Sequence, residues 1–357
     1  VETIEGPMGP QGIPGPQGPT GPQGEVGPYP TGLDVNQDGN IVIEMSNGDI
    51  IVTPDSLNEY WMRIHNPEGD GSMSMNRKAG TTIGAYSTTF GKDAEASGNY
   101  SFAAGDRAVA TGAGSIALGY HARATGSNSV AIGQSSIAQG NNSVSLGNNN
   151  SAIGYMSFAT GAYSHATGDS SFAIGHLTTA AGQYSCSTGD ETNANGVSSH
   201  AEGFSTDANG RYSHAEGHQT NAIGDSSHSE GKGAKANGEG SHAEGITSEA
   251  NGEGSHSEGL NTKANGIYSH AEGAYTVAKE QGSHAEGRYS QALKEYSHAE
   301  GISTEARSQG SHAEGQQTQA SGEFSHSEGY KTAANDPYSH AEGKQTVANS
   351  EGTHAEG

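Results

Sequence analysis

From Gly84 onward, glycine recurs at every seventh residue, through Gly91 and Gly98 to Gly357. Of the 40 places in this register, 35 are glycine. The five exceptions are Glu280, Lys294, Ser308, Asp336 and Ser350, and all fall in one of the two alternating sets. The other set is unbroken from Gly91. The repeating unit is therefore fourteen residues with two unlike halves, and in the C-terminal part it reads S-H-A-E-G-x-x-T-x-A-x-G-x-x. A disordered low-complexity chain keeps no such register.

Each half offers a short alternating stretch followed by two turn residues. Alternation places successive side chains on opposite faces of a strand. Two short strands per unit, stacked on the next identical unit, make a solenoid coil. Composition agrees: only 31% of residues are hydrophobic and 56 are glycine, too little large apolar surface for an ordinary core. A fourteen-residue coil is narrow, so small residues must fill it. The spacing predicts that Ser199, Ala201, Gly203, Thr206, Ala208 and Gly210 point inward and that His200 and Glu202 point out. Handedness does not follow from the period.

Upstream, the places of His200 and Glu202 hold Phe102 and Ala104, Ile116 and Leu118, Val130 and Ile132, Val144 and Leu146, and Phe172 and Ile174. An apolar ridge facing water is an aggregation liability. The second strand, with Arg123 and Thr125 or Ile137 and Gln139, is mostly polar. The first strand of each coil is thus expected to face a partner and the second to face solvent.

The N-terminal part supplies a number for the assembly. Gly6 to Tyr29 reads as eight Gly-X-Y triplets with Pro in the X place of six. Only glycine fits the axis of three intertwined polyproline strands, so a collagen triple helix is expected over residues 1–30, with a flexible Pro/Gly linker as the alternative. Residues 31–66 read as a β-hairpin connector and trimerisation module, with strands Ile41–Met45 and Ile50–Thr53 around an Asn-Gly turn. Asp34, Asn36 and Asp38-Gly39 resemble the start of a calcium loop, but its twelfth place is Met45 rather than Glu, so an Asx-rich turn is the better reading. Leu57 to Ile64 suggests a short helix, and residues 67–83 a loop leading into a roll over 84–357.

Ser115-Ile116-Ala117-Leu118-Gly119 and Ser129-Val130-Ala131-Ile132-Gly133 resemble the head repeats of YadA-like trimeric adhesins. The resemblance covers Gly84 to Gly357. It implies an all-β, homotrimeric, left-handed parallel β-roll with a role in adhesion. From His200 the repeat departs from that pattern and becomes S-H-A-E-G, with polar residues at the interface places. The whole arrangement resembles phage or prophage tail fibres of Gram-positive bacteria, although spore-surface and cell-surface filaments combine similar parts.

The expected trimer interface comprises Ile116, Leu118, Val130, Ile132, Val144, Leu146, Phe172, Ile174 and Cys186, then His200, Glu202, His214, Glu216, His242, Glu244, His270, Glu272, His298 and Glu300. Twelve histidines, His200 to His354, stand fourteen apart, each with Glu two residues on. In the structural reading each His bonds a Glu of a neighbouring chain, and the carboxylate raises the histidine pKa. The alternatives are axial metal or anion sites at His200, His214, His228 and His242, or a solvated ladder. Cys186 reads as a small interface hydrophobe.

Net charge is −24 with only 16 Lys and Arg, which opposes binding to nucleic acid and to anionic membranes. No apolar run approaches a membrane span, and one cysteine gives no disulfide framework. No catalytic constellation, phosphate loop or paired-cysteine zinc spacing is present in the sequence, so neither catalysis nor a cofactor is expected. The chain opens on Val1 and stops at Gly357 on a repeat boundary; a processed chain with further C-terminal sequence is expected. The functional expectation is an extracellular fibre protein of a virion tail that reaches a host-cell receptor. A bacterial or spore surface adhesin is the alternative, and a pure spacer a third possibility.

Overall fold

The computed structural model describes the backbone of residues 30–35, 41–45, 50–52, 73–77 and 82–357, and side chains from residue 82 on. The collagen-like triplets up to Tyr29, residues 36–40 of the calcium-loop-like stretch and the Leu57–Ile64 segment lie outside the described residues.

Two units, Val1–Tyr60 and Trp61–Gly357, are distinguished by their internal packing. In the first, β2 (Ile41–Met45) pairs antiparallel with β3 (Ile50–Val52), Val42 opposite Val52 and Glu44 opposite Ile50. A third strand, β1 (Pro30–Val35), lies antiparallel on the other side of β2, with Val35 opposite Ile41. The hairpin's strands were legible from their β-branched runs; β1, which carries Pro, Gly and Asp, was not.

The second unit is an all-β parallel solenoid with no helix among the described residues. It starts earlier than the glycine register. Met73–Arg77, expected as loop, is strand β4 and pairs parallel with β5 (Thr88–Ala96), Met73 beside Thr88. Alternating Met-Ser-Met-Asn suits a strand, but it carries no glycine punctuation to announce it.

Beyond β5, each coil contributes a long and a short strand, exemplified by His200–Phe204 and Asp207–Ala208. Long strands stack only on long strands: Val130 lies beside Val144, and His200 beside His214. Short strands do the same, with Asp207 beside Asn221. Like therefore sits on like at a separation of fourteen residues.

Alanine fills the interior. Ala201, Ala208, Ala215 and Ala222 are wholly buried and form one cluster of a series that runs the length of the unit. Serine and threonine share this interior, and many of them close a corner. The Ser213 hydroxyl donates to the Gly210 carbonyl at 2.7 Å, and the Thr220 hydroxyl to the Glu216 carbonyl at 3.0 Å. Where serine replaces alanine at Ser257, its hydroxyl meets that of Thr262 across the coil at 2.8 Å. Pairing offsets the burial of these hydroxyls, whereas those of Ser115, Ser145, Thr276, Thr304 and Thr318 are buried without a partner.

The two glycine sets differ, and one expectation is corrected. Gly210 is buried, as the face-sorting predicted, but Gly203 is exposed with φ +110°. Its strand has already turned out of the alternation at that point. A Cβ on Gly203 would also lie 2.1 Å from the Gly217 carbonyl oxygen. Positive φ and close approach together explain why the Gly91 set is unbroken. The Gly84 set shows close approach without this φ, and all five substitutions fall there.

Candidate functional site

The outward face of the long strands carries the candidate site. Ile116, Leu118, Val130, Val144 and Leu146 are half-buried in the single chain, whereas Ile132, Phe172 and Ile174 are exposed at 38%, 46% and 39%. Parallel in-register pairing aligns them into a column: Ile116 beside Val130 beside Val144, and Leu118 beside Ile132 beside Leu146. The column continues through Phe172 and Cys186 to His200. Cys186 is half-buried, and burial, then the Glu202 charge, pushes its thiol pKa up, so its thiolate is disfavoured.

From His200 the column becomes imidazole. His200 and His214 stack with ring centroids 4.8 Å apart and planes 4° apart, and the stack continues pairwise to His354. This spacing is that of the strands themselves. Alongside runs the Glu column, His242, His270 and His298 being followed by Glu244, Glu272 and Glu300 on the same strands. Nε2 of His214 is 3.5 Å from the Glu216 carboxylate, and the separation is 3.8 Å at His270–Glu272 and 3.9 Å at His298–Glu300. These are too long for hydrogen bonds, and Nε2 of the histidines from His214 to His340 is enclosed yet unpartnered. A shallow groove of about 490 Å³ runs beside Glu202, Glu216 and Glu230.

Within one chain the histidine shift runs opposite to the rise expected from pairing with a neighbouring chain's Glu. Burial first, then the charge of stacked imidazoles, holds His256, His270, His284 and His326 below the usual histidine range, and His312 at about 4. The glutamates pull the other way and lose. Within the chain, charge on these five rings is therefore disfavoured.

Each ladder step could offer a metal ion one imidazole and one carboxylate. His214, Glu216 and His228 place ligand atoms within 4.8 Å of one another, as do His228, Glu230 and His242. Parallel rings 4.8 Å apart hold their nitrogens at a like separation, whereas one zinc ion with bonds of about 2.1 Å bridges at most about 4.2 Å. Successive histidines of one chain therefore do not converge on one ion in this arrangement.

The period placed two turn residues after each alternating stretch but not their conformation. Two residues per coil, the second of each such pair, have left-handed backbone, such as Ser205 (φ 55°) and Tyr212 (φ 58°).

An alanine-filled parallel solenoid with one continuous outward column is a repeat-built scaffold, structural rather than catalytic in type. The comparison with known families agrees: the YadA head domain repeat (2 copies) matches residues 83–108, 96–122, 124–150 and 166–185. This stretch is built of YadA head repeats. No curated protein matches the chain. The His–Glu coils lie beyond the matched stretch, yet pairing continues without a register change from Cys186 to His200. No helix of the described residues is long and apolar enough to cross a membrane.

Proposed function

We propose that the chain is one third of a homotrimeric extracellular fibre, in which a collagen-like stalk precedes the solenoid and three solenoids meet along their long-strand columns. One observation carries this reading: Ile132, Phe172 and Ile174 are exposed in the single chain and aligned on one face. Burying such a column against sister chains removes it from water. Ile116, Leu118, Val130, Val144, Leu146 and Cys186 belong to the same seam, followed by His200, Glu202, His214, Glu216 and their successors. The YadA head repeats support a trimeric, adhesive role. The collagen-like triplets, hairpin and S-H-A-E-G coils favour a phage tail fibre that extends toward a host-cell receptor. A bacterial or spore surface filament is the second reading, favoured by the same YadA repeats. Sedimentation of the full chain is expected to give the mass of three chains; a soluble, folded single chain overturns the proposal. Fusion of the chain's coils to a labelled carrier is expected to localise the carrier to target cells; no localisation leaves the trimer standing and removes the adhesive role.

A further inference from the structure

One corner of the solenoid carries a second pattern, with twice the period of the coil. Tyr184, Tyr212, Tyr268, Tyr296 and Phe324 stand 28 residues apart, except for one gap filled by Gly240. Between them lie Ser198, Ser226, Gly254, Gly282 and Gly310. All eleven positions have left-handed backbone, from φ 52° at Phe324 to 61° at Gly240 and Gly282. Glycine and asparagine suit that conformation, while a bulky side chain is a rare occupant. The small intervening residues show what the corner accepts for its own sake.

The aromatic rings gain little burial in return. Tyr184, Tyr212, Tyr268, Tyr296 and Phe324 are 60%, 59%, 62%, 58% and 52% exposed. Their backbone is nevertheless fixed: the Tyr268 amide donates to the Glu253 carbonyl at 2.8 Å, and the Tyr296 amide to the Gln281 carbonyl at 2.9 Å. Each of the last three rings lies over the glycine of the coil before. A Cβ on Gly254 would meet the Tyr268 ring at 2.6 Å, on Gly282 the Tyr296 ring at 2.8 Å, and on Gly310 the Phe324 ring at 2.6 Å. The remaining surface of the Tyr268 and Tyr296 rings is open to solvent, while the Phe324 ring stacks on Tyr338 of the next coil with centroids 5.7 Å apart. Two coils separate successive teeth, about 9.5 Å at the ordinary strand spacing. Exposed polar groups flank the row at Glu253, Gln281, Glu295, Gln309 and Glu323.

We propose that this aromatic comb is a binding surface for a linear, uncharged polysaccharide. Pyranose rings present flat C–H faces that stack on aromatic faces, with hydroxyls at their edges for carboxamides and carboxylates. The pitch of the comb is close to the advance of two β-1,4-linked sugars, so alternate sugars along one chain meet successive teeth. Tyrosine gives this contact at low entropy, because its two side-chain torsions are few and the corner is preorganised. The net charge of −24 disfavours anionic polymers. This inference rests on the adhesive part of the proposed function and not on the trimer.

The test uses the full chain and two variants. In Tyr268→Gly/Tyr296→Gly/Phe324→Gly the corner takes the residue it already has at Gly254. In Gly240→Tyr the missing tooth is added where a Cβ meets nothing within 4 Å. Binding is read by co-sedimentation with cellulose and chitin and by retardation in gels containing soluble β-glucan, with dextran sulfate as the anionic control. Losing three of five teeth is expected to weaken binding about tenfold or more, and adding one to strengthen it several-fold, because the teeth act on one polymer. The proposal is overturned if the chain binds none of the neutral polymers, if it prefers dextran sulfate, or if the variants bind like the parent. It is also overturned if the triple variant sediments with fewer chains than the parent, since the comb is then a contact between chains. Trimer mass without polymer binding removes this inference alone, and polymer binding by a single chain removes the trimer alone.

Discussion

Acidification is expected to loosen the C-terminal coils. Burial and stacking hold the folded-state pKa of His256, His270, His284, His312 and His326 below the ordinary value. The folded chain then binds fewer protons than the unfolded chain as pH falls below ~6.5. Stability is full above that pH and declines toward the folded value, about 4 for His312. In a dry site that span corresponds to about 3 kcal/mol. The His312 ring is 37% exposed, and screening by water reduces the figure to about 1 kcal/mol. The other four shifted rings act in the same direction, so Tm is expected to fall on acidification. The assay is circular-dichroism melting at pH 7.5, 6.5, 5.5 and 5.0, above the ordinary glutamate range. A variant with Gln at the five positions is the control and is expected to lose most of the slope. A Tm that stays flat or rises on acidification refutes the reasoning, as does an unchanged slope in the variant. A rising Tm identifies the opposite electrostatics, in which a carboxylate of another chain stabilises the imidazolium.

Three further outcomes follow from the packing. Gly217→Ala is expected to destabilise by about 3 kcal/mol, since positive φ and a carbonyl 2.2 Å from the new Cβ act together; Gly322→Ala also brings its Cβ close to a backbone carbonyl, at 2.0 Å, but without positive φ and in a set where Ser308 and Asp336 carry side chains, so a smaller fall in Tm is expected, and comparable melts would contradict this account of the two sets. Ile132→Asp/Ile174→Asp is expected to reduce the sedimenting mass to that of fewer chains, and an unchanged mass removes these residues from the seam. Deletion of residues 241–254, one whole unit, is expected to leave a folded protein with a slightly smaller urea m-value, whereas deletion of seven residues is expected to misregister the stack and lower Tm sharply.

Much of the solenoid was legible because two periods coincide in it. Alternation placed Ser199, Ala201, Thr206 and Ala208 inside and His200 and Glu202 outside, and the structure has them there. Gly203 misled because alternation ends one residue before the glycine, where the backbone turns out at positive φ. The histidine electrostatics misled for another reason. Sequence spacing put a carboxylate two residues from each imidazole and the next imidazole one strand spacing above it, as found at 4.8 Å, but only the carboxylate was weighed; within the chain, burial and the neighbouring rings outweigh it. β4 was missed because Met73–Arg77 has no repeat partner in the sequence, and the aromatic comb because its 28-residue period is hidden inside the shorter one.

Beyond β5, every strand of the solenoid crosses the stacking direction and pairs with its neighbours fourteen residues away. A pull applied along the stack therefore loads one coil's ladder at a time instead of shearing all ladders together. Each coil released pays out about 45–50 Å of chain and leaves the next edge intact to carry the load. Built this way, a tether yields in even steps and dissipates a sudden tug while the remainder of its length keeps its structure.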